Sequence, residues 1–411
     1  MISKESLPYI KASVPVLREH GLTITTLFYK NMFAAHPELK HLFSRSSQAG
    51  GAQQQALAGA VYAYADNIEK PEFLSSVLNR IAHKHASLGI KPAQYTIVGK
   101  YLLGAIAQTL GDGATPELLD AWDEAYWLLA GELIAMEARL YHEKDISPST
   151  SWRNLTIADI RRESEHVLSF YLTAPEGESV GDFIPGQYLS IALTFKELEL
   201  QQIRQYSLSD APGKDSLRIS VKSEIGDDLK GLPDGLVSNG MHALKIGDSV
   251  MASQAYGDFV LPEKVQNPVV LISAGIGITP FISMLNTLKA SATKHAVRFL
   301  HGARQPDAIG FSQELSQARN EMEDYKDYFF FNKNDGSGSN DNNDTYHAEH
   351  GNVFSGQMHL QKVPEVVDPK ASFYLCGPLQ FMRVIRRQLL DFDIPAENIH
   401  YEVFGPDLFR T

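Results

Sequence analysis

The chain reads as multidomain: an all-α segment, then an antiparallel β-barrel or sandwich, then an α/β unit with a mostly parallel sheet. Three observations predict this. Apolar residues keep helical spacing through residue 143, short apolar runs between Gly and Pro turns follow Trp152, and buried-strand runs alternate with helical patterns from Pro268 onward. A chain of 411 residues is long enough for about two to four domains, each burying its own core.

In the first texture Ile24, Leu27, Phe28, Met32 and Phe33 recur every three or four residues, as do Leu57, Val61 and Tyr64, and Leu74, Val77, Leu78 and Ile81. Pro37, Pro71, Pro92 and Pro116 fall between such stretches, where proline starts or stops helices. A longer helical pattern runs from Leu118 to Tyr141, and the short polar stretch Asp145–Ser151 is the best linker. Strands are expected over 167–172, 187–193, 217–221 and 249–252, punctuated by Pro185-Gly186, Pro212-Gly213 and Gly247-Asp248. Further strands are expected over 269–272, 297–301 and 373–375, with a helix over 281–288. The expected units are 1–144, 152–262 and 266–411. Residues 332–346 are polar and low in complexity, and read as an exposed loop without chemistry.

Composition narrows the function. Net charge is −12, from 37 basic and 49 acidic residues, which disfavours nucleic acid and anionic membrane as partners. Cys376 is the sole cysteine, so no intrachain disulfide forms and a reducing compartment fits. No signal-like segment opens the chain and no apolar run spans a bilayer. A cytoplasmic protein, monomeric and without stable membrane association, is the expectation.

Four motifs follow in order. Arg204-Gln205-Tyr206-Ser207 reads as a flavin clamp: the guanidinium can fork onto phosphate, while Tyr206 shares its strand face and Gln205 takes the other. Alone, this string is more often an ordinary edge strand. Ser273-Ala274-Gly275-Ile276-Gly277-Ile278-Thr279-Pro280 follows a buried strand and precedes a helix, as a pyrophosphate-binding loop does, although it is equally a plain strand–helix turn. Cys376-Gly377-Pro378 also ends a strand, at the edge where open α/β sheets bind ligands; a small buried hydrophobe is the commoner role for such a cysteine. Phe404-Gly405-Pro406 lies near the end.

The helical segment carries His85 in Ile81-Ala82-His83-Lys84-His85-Ala86-Ser87-Leu88. His83 and His85 point about 200° apart on a helix, so one pocket can use only one of them. We read His85 as a heme-iron ligand. Tyr29 and Gln53, on separate helices, could bond a diatomic gas across the iron; Phe43 could wedge against the macrocycle; Tyr95 and Glu137 could buttress the histidine. Each residue alone is better explained as core or surface, but the set is not.

Residues 152–411 resemble the ferredoxin-NADP reductase superfamily, and the whole chain resembles the bacterial and yeast flavohemoglobins, which act as nitric oxide dioxygenases. The resemblance implies a globin fold, an FAD-binding barrel and an NAD(P)-binding domain. It assigns Tyr188, Arg204, Gln205, Tyr206 and Ser207 to FAD, and Gly275, Ile276, Gly277, Ile278, Thr279 and Pro280 to NAD(P)H, with Cys376, Gly377 and Pro378 beside the nicotinamide. Val403, Phe404, Gly405 and Pro406 would close over the flavin. His301-Gly302-Ala303-Arg304 resembles the family's strand end near the nucleotide, with Gly302 where Ala is more usual. Residues 235–242 resemble its flavin-phosphate turn, with Gly240-Met241 where a bulky residue and leucine are common.

By the same resemblance His85 is the proximal ligand of heme b, Tyr29 and Gln53 the distal pair, Leu57 an apolar residue over the iron, and Tyr95 and Glu137 the proximal network. The implied reaction passes reducing equivalents from NAD(P)H through FAD to heme, which converts NO and O2 to nitrate. Two other classes compete: an NAD(P)H–flavin reductase serving ferric iron or another acceptor, and a heme gas sensor or store. A store needs no built-in reductase.

Overall fold

A computed structural model describes residues 2–43, 51–226, 234–331 and 352–405. The expected exposed loop over 332–346 lies outside the described residues. Five long helices make up the first part: α1 (Leu7–Ala35), α2 (Ala52–Asp66), α3 (Ser75–Leu88), α4 (Pro92–Leu110) and α5 (Pro116–Glu143). The prolines act as expected. Pro92 and Pro116 open α4 and α5, Pro37 opens a short 3-10 turn ending at Leu42, and Pro71 opens another before α3. Helix α5 is further capped by the Thr115 hydroxyl, which accepts from the Leu118 amide at 3.3 Å. Sequence reading passed over Pro15, which sits inside α1 without ending it. Buried side chains of α1 (Ile10, Leu17, Ile24, Phe28, Met32) keep one stripe, packed with Leu78, Leu102, Ile106, Trp122 and Leu133 of the other helices.

The second part is one six-stranded antiparallel sheet, in the order β4-β3-β6-β1-β2-β5. Its strands are β1 (Trp152–Ser164), β2 (Val167–Thr173), β3 (Tyr188–Phe195), β4 (Leu200–Ser207), β5 (Leu217–Lys222) and β6 (Ser249–Ser253). An isolated bridge from Leu208 to Ile219 brings the end of β4 back to β5, so the sheet curls into a barrel. Leu155, Ile157, Phe170, Leu172, Leu189, Ile191, Ile219 and Val221 alternate inward to fill it. The short helix α6 (Leu236–His242) buries Met241 in that core.

The third part is a fully parallel sheet, β10-β9-β8-β7-β11-β12. It comprises β7 (Val269–Ala274), β8 (Val297–Ala303), β9 (Tyr325–Phe331), β10 (Asn352–Ser355), β11 (Ser372–Cys376) and β12 (Ile399–Glu402). Helices α7 (Thr279–Ala290), α8 (Ser312–Glu321) and α9 (Leu379–Asp391) connect them. Apolar clusters lie on both faces, so the central strands read as continuous hydrophobic runs.

Barrel and parallel sheet are joined by a buried ion pair, Arg218 to Glu314 at 2.5 Å. The Ser283 hydroxyl and the Asn286 amide on α7 also donate to Asp210, at 2.7 and 3.0 Å. The turn before β3 is equally constrained. Gly186 has φ +106°, and a Cβ there would lie 2.1 Å from the Phe259 carbonyl oxygen. Gly186→Ala is therefore expected to destabilise the protein by about 2 kcal/mol or more in chemical denaturation. A change under about 0.5 kcal/mol, the range of an ordinary surface substitution, would contradict this.

Candidate functional site

Helix α3 presents His85 to the interior of the helical part. Its Nδ1 lies 2.8 Å from Glu137 Oε1 and 2.9 Å from the Tyr95 hydroxyl, which itself donates to the same carboxylate oxygen at 2.5 Å. Glu137 on α5 is 2% exposed, so its charge depends on these two donors rather than on water. Burial and the adjacent Glu137 push the Tyr95 phenol far above its ordinary range, keeping it a proton donor. An imidazole that gives its Nδ1 proton to a carboxylate carries its lone pair on Nε2, the arrangement a metal-bound histidine requires. The backbone carbonyl of Tyr95 accepts from the Tyr126 hydroxyl, which holds this network against α5.

Across the same core, α1 buries Tyr29, 6% exposed. Its ring stacks on Phe33 at 5.6 Å and meets the edge of Phe43 at 5.6 Å, and Phe33 meets Phe43 at 5.2 Å. Burial raises the Tyr29 phenol well above its ordinary range, and a hydrogen bond to Gln53 pulls it partly back. Leu57 packs on the same core from α2.

The other face of α3 docks on the barrel and the parallel-sheet unit. His83 Nδ1 accepts from the Gly257 amide at 3.0 Å, and Asn79 donates to Asp258 at 3.3 Å. Ser190 Oγ on β3 donates to Ser87 Oγ at 3.0 Å, and Ser87 Oγ donates to the Lys84 carbonyl at 2.8 Å. Arg80 lies over the Tyr401 ring at 4.7 Å. Lys84 shares a charge cluster with Glu402 and Arg204, and burial draws its ammonium down to about 8. Sequence reading identified none of these docking contacts; Asn79, Arg80 and Asp258 look like surface residues until their partners are known.

The flavin-clamp residues fall on one strand, β4, as expected. Gln205 donates to Ser190 at 3.0 Å, Arg204 Nη1 donates to the Ile203 carbonyl at 2.7 Å, Tyr206 packs on the barrel core, and Ser207 is buried. Tyr188 pairs beside them, in register with Ser207. The nucleotide motifs also converge. Residues Gly275–Ile278 form one 3-10 turn between β7 and α7, with Thr279 and Pro280 in the first turn of α7. Strand β11 lies beside β7 with Cys376 opposite Ser273, so Gly377 and Pro378 flank the glycine turn. The strand order reverses here, the position where open α/β sheets bind ligands. A Cβ on Gly277 would lie 2.5 Å from the Cys376 carbonyl oxygen, so only glycine allows this approach. The Cys376 side chain itself is fully buried and burial raises its thiol far above the ordinary value, so it packs as a hydrophobe. Val403, half-exposed Phe404 and Gly405 leave β12 at the same edge, and Pro406 lies outside the described residues.

These features define an oxidoreductase that couples a nicotinamide- and flavin-binding reductase to a heme-binding helical fold. Family models agree: Globin matches residues 26–133, Oxidoreductase FAD-binding domain 154–260, and Oxidoreductase NAD-binding domain 271–387. The chain is 43% identical to a flavohemoprotein of Rhizobium meliloti over 100% of both chains. It is 40% identical to that of Halalkalibacterium halodurans, covering 98% of this chain and 97% of the other. Among solved structures it is similar to the flavohemoglobin of Malassezia yamatoensis with bound FAD and heme, with a TM-score of 0.85, 31% identity, and coverage of 98% of this chain and 100% of that one. The chain belongs to the flavohemoprotein family. It binds heme, FAD and NAD(P)H, and transfers electrons from the nicotinamide through flavin to heme. The residues fit these groups: an Nε2 lone pair for iron, and a glycine cradle at the switch point for the dinucleotide. Among the described residues, no helix is long and apolar enough to cross a membrane.

Glu402 gives a pH test of the joint. Burial, then the charge of Asp258, pushes its carboxyl up to about 7 from 4.5, against Arg80 and Lys84. The folded state thus holds a proton that the unfolded chain has released, so stability from this group falls as pH rises between about 4.5 and 7. Glu402→Gln should remove that slope. Melting temperatures should show the variant gaining on the unaltered protein across that window and holding its lead above it; a constant difference would refute the assignment.

Proposed function

We propose that this chain is a nitric oxide dioxygenase, converting NO and O2 to nitrate at the expense of NAD(P)H. The observation that carries this reading is the His85–Glu137–Tyr95 network, in a chain that also bears its own reductase. An imidazole whose Nδ1–H is held by a buried carboxylate donates more electron density to a metal than one held by a neutral carbonyl. A FAD/NAD-binding domain of a nitric oxide dioxygenase from Vibrio cholerae, 36% identical with a TM-score of 0.54, covers 62% of this chain and 99% of its own length. That likeness extends the same reading to the reductase part.

The roles divide by unit, taken as 1–144, 152–262 and 266–411. When bound, the nicotinamide would supply a hydride, the flavin would accept it and deliver its electrons one at a time, and the heme would activate O2. His85 holds the iron through Nε2, while Glu137 and Tyr95 fix its ring and tautomer. Tyr29, kept protonated by burial and beside Gln53, would donate its O–H to a heme-bound gas. Arg204 and Ser207 hold the flavin, Tyr188 and Tyr206 lie along it, and Gln205 braces β4 through Ser190. Residues 275–280 and 376–378 hold the dinucleotide, and Val403–Pro406 cover the flavin. Phe33 and Phe43 close the wall around Tyr29.

Aerobic NO consumption with NADH or NADPH, with nitrate counted per nicotinamide oxidised, tests the reading; two NO per two-electron donor is the dioxygenase ratio. Nicotinamide oxidation that produces no nitrate would sink it. His85→Ala should lose the Soret band while keeping FAD and dye reduction, and loss of all three would mean the units do not divide as stated. Tyr29→Phe should speed O2 release and lower NO consumption by about 100-fold or more, the cost of one preorganised donor. An unaltered O2 release rate would remove Tyr29 from the distal role.

A further inference from the structure

The flavin-clamp strand does not end at the flavin. Gln202 lies on the same face of β4 as Arg204 and Tyr206, since alternate residues of a strand share a side. It is fully buried, yet it carries an amide that must be satisfied. Its Nε2 reaches out of the barrel into the helical part, 3.2 Å from the Phe43 carbonyl oxygen and 3.4 Å from that of Lys40. Both carbonyls lie where the 3-10 turn Pro37–Leu42 ends: that of Lys40 also accepts from the Phe43 amide, and that of Phe43 lies one residue past the turn. Phe43 is the residue whose ring meets Tyr29 at 5.6 Å and Phe33 at 5.2 Å.

A continuous path therefore runs from the proposed flavin site to the proposed distal site: β4, the Gln202 amide, the Phe43 main chain, the Phe43 ring, Tyr29. It is separate from the α3 route through Ser87 and His83, which reaches the opposite side of the heme fold. We propose that Gln202 is a positioning residue of the distal pocket, holding Phe43 against Tyr29 so that β4 sets both the flavin and the distal wall. This rests on the distal role of Tyr29 given above. Each link is a packed or hydrogen-bonded contact, and closely packed rings transmit displacement rather than absorb it.

The test uses the full-length holoprotein and three readouts: the C–O stretching band of the ferrous carbon monoxide complex, the O2 release rate, and FAD content with NADH-dependent dye reduction. Gln202→Met keeps the volume and removes the donor. It should shift or broaden the C–O band and speed O2 release by about fivefold or more, the low end of coupling between distinct sites. FAD content and dye reduction should stay as in the unaltered protein. In a Tyr29→Phe background the same substitution should add little to O2 release, because neighbours acting through one group are not additive.

An unchanged C–O band in Gln202→Met overturns the proposal. So does an equal added effect with Tyr29→Phe, or loss of FAD alongside the distal change, since each marks a merely structural glutamine. If Gln202→Met does not fold, Phe43→Leu, which keeps the main-chain acceptor and removes the ring, must shift the band; no shift overturns the proposal equally. Tyr29→Phe alone separates the two readings. Should it leave O2 release unaltered, the distal tyrosine is wrong, and the C–O band of Gln202→Met still decides whether β4 holds the pocket.

Discussion

The whole arrangement depends on one helix having two working faces. Residues two apart on a helix point about 200° away from each other, so α3 can turn His85 inward and His83 outward. The inward face meets Glu137 and Tyr95. The outward face, Asn79, Arg80, His83, Lys84 and Ser87, follows the spacing of three and four that makes a contiguous stripe, and it touches the barrel and the parallel sheet. The group proposed to bind iron is thereby held within one helical diameter of the parts proposed to reduce it. No flexible tether intervenes at this joint; the distance is set by the width of an α-helix.

The inward face solves a cost the outward face does not have. A carboxylate as buried as Glu137 is expensive unless several donors reach it. Two do, and both are groups whose protons the site needs to keep in place. The network is therefore self-consistent: Tyr95 and His85 make the charge tolerable, and the charge fixes the tautomer of His85. The outward face uses mostly neutral hydrogen bonds, and where it does bury charge, at Lys84 and Glu402, burial moves both groups toward neutrality.

Periodicity and proline placement made the fold legible. The five helices, the barrel texture and the α/β alternation follow from local pattern, and the glycine turn and Cys376-Gly377-Pro378 were legible because strand–turn geometry demands particular residues. Strands β1, β9, β10 and β12 were not read; β1 carries Arg153, Asn154, Asp159, Arg161 and Arg162 among its apolar residues. The apolar run of β9 fits a buried helix segment as well as a strand, and β10 and β12 are only four residues long. Tyr95 and Glu137 were singled out beside His85 only as part of a set, because a glutamate on a helix normally signals solvent; the family resemblance is what gave each a place in the proximal network. The docking residues and Gln202 left no local signal at all. A buried glutamine has the same composition as an exposed one, and its meaning lies in a carbonyl some 160 positions away. Cys376 shows the reverse: the motif marks the backbone of the site, whereas the thiol is ordinary core.

The two joints differ in a way that matches the two transfers they serve. Barrel and parallel sheet are locked by the buried Arg218–Glu314 pair, reinforced by Asp210 under α7. Breaking such a pair from one side strands a charge, at a cost of about 3–5 kcal/mol, so this joint resists sliding. Hydride transfer needs its reacting atoms held within a fraction of an ångström, and a stiff joint suits it. The helical part is held instead mostly by neutral hydrogen bonds worth about 1 kcal/mol each, spread over α3 and the Gln202 contact, with Asn79 on the Asp258 carboxylate the charged exception among them. Electron transfer between the flavin and heme sites tolerates small rotations that would stop a hydride. A softer joint there is sufficient for the chemistry.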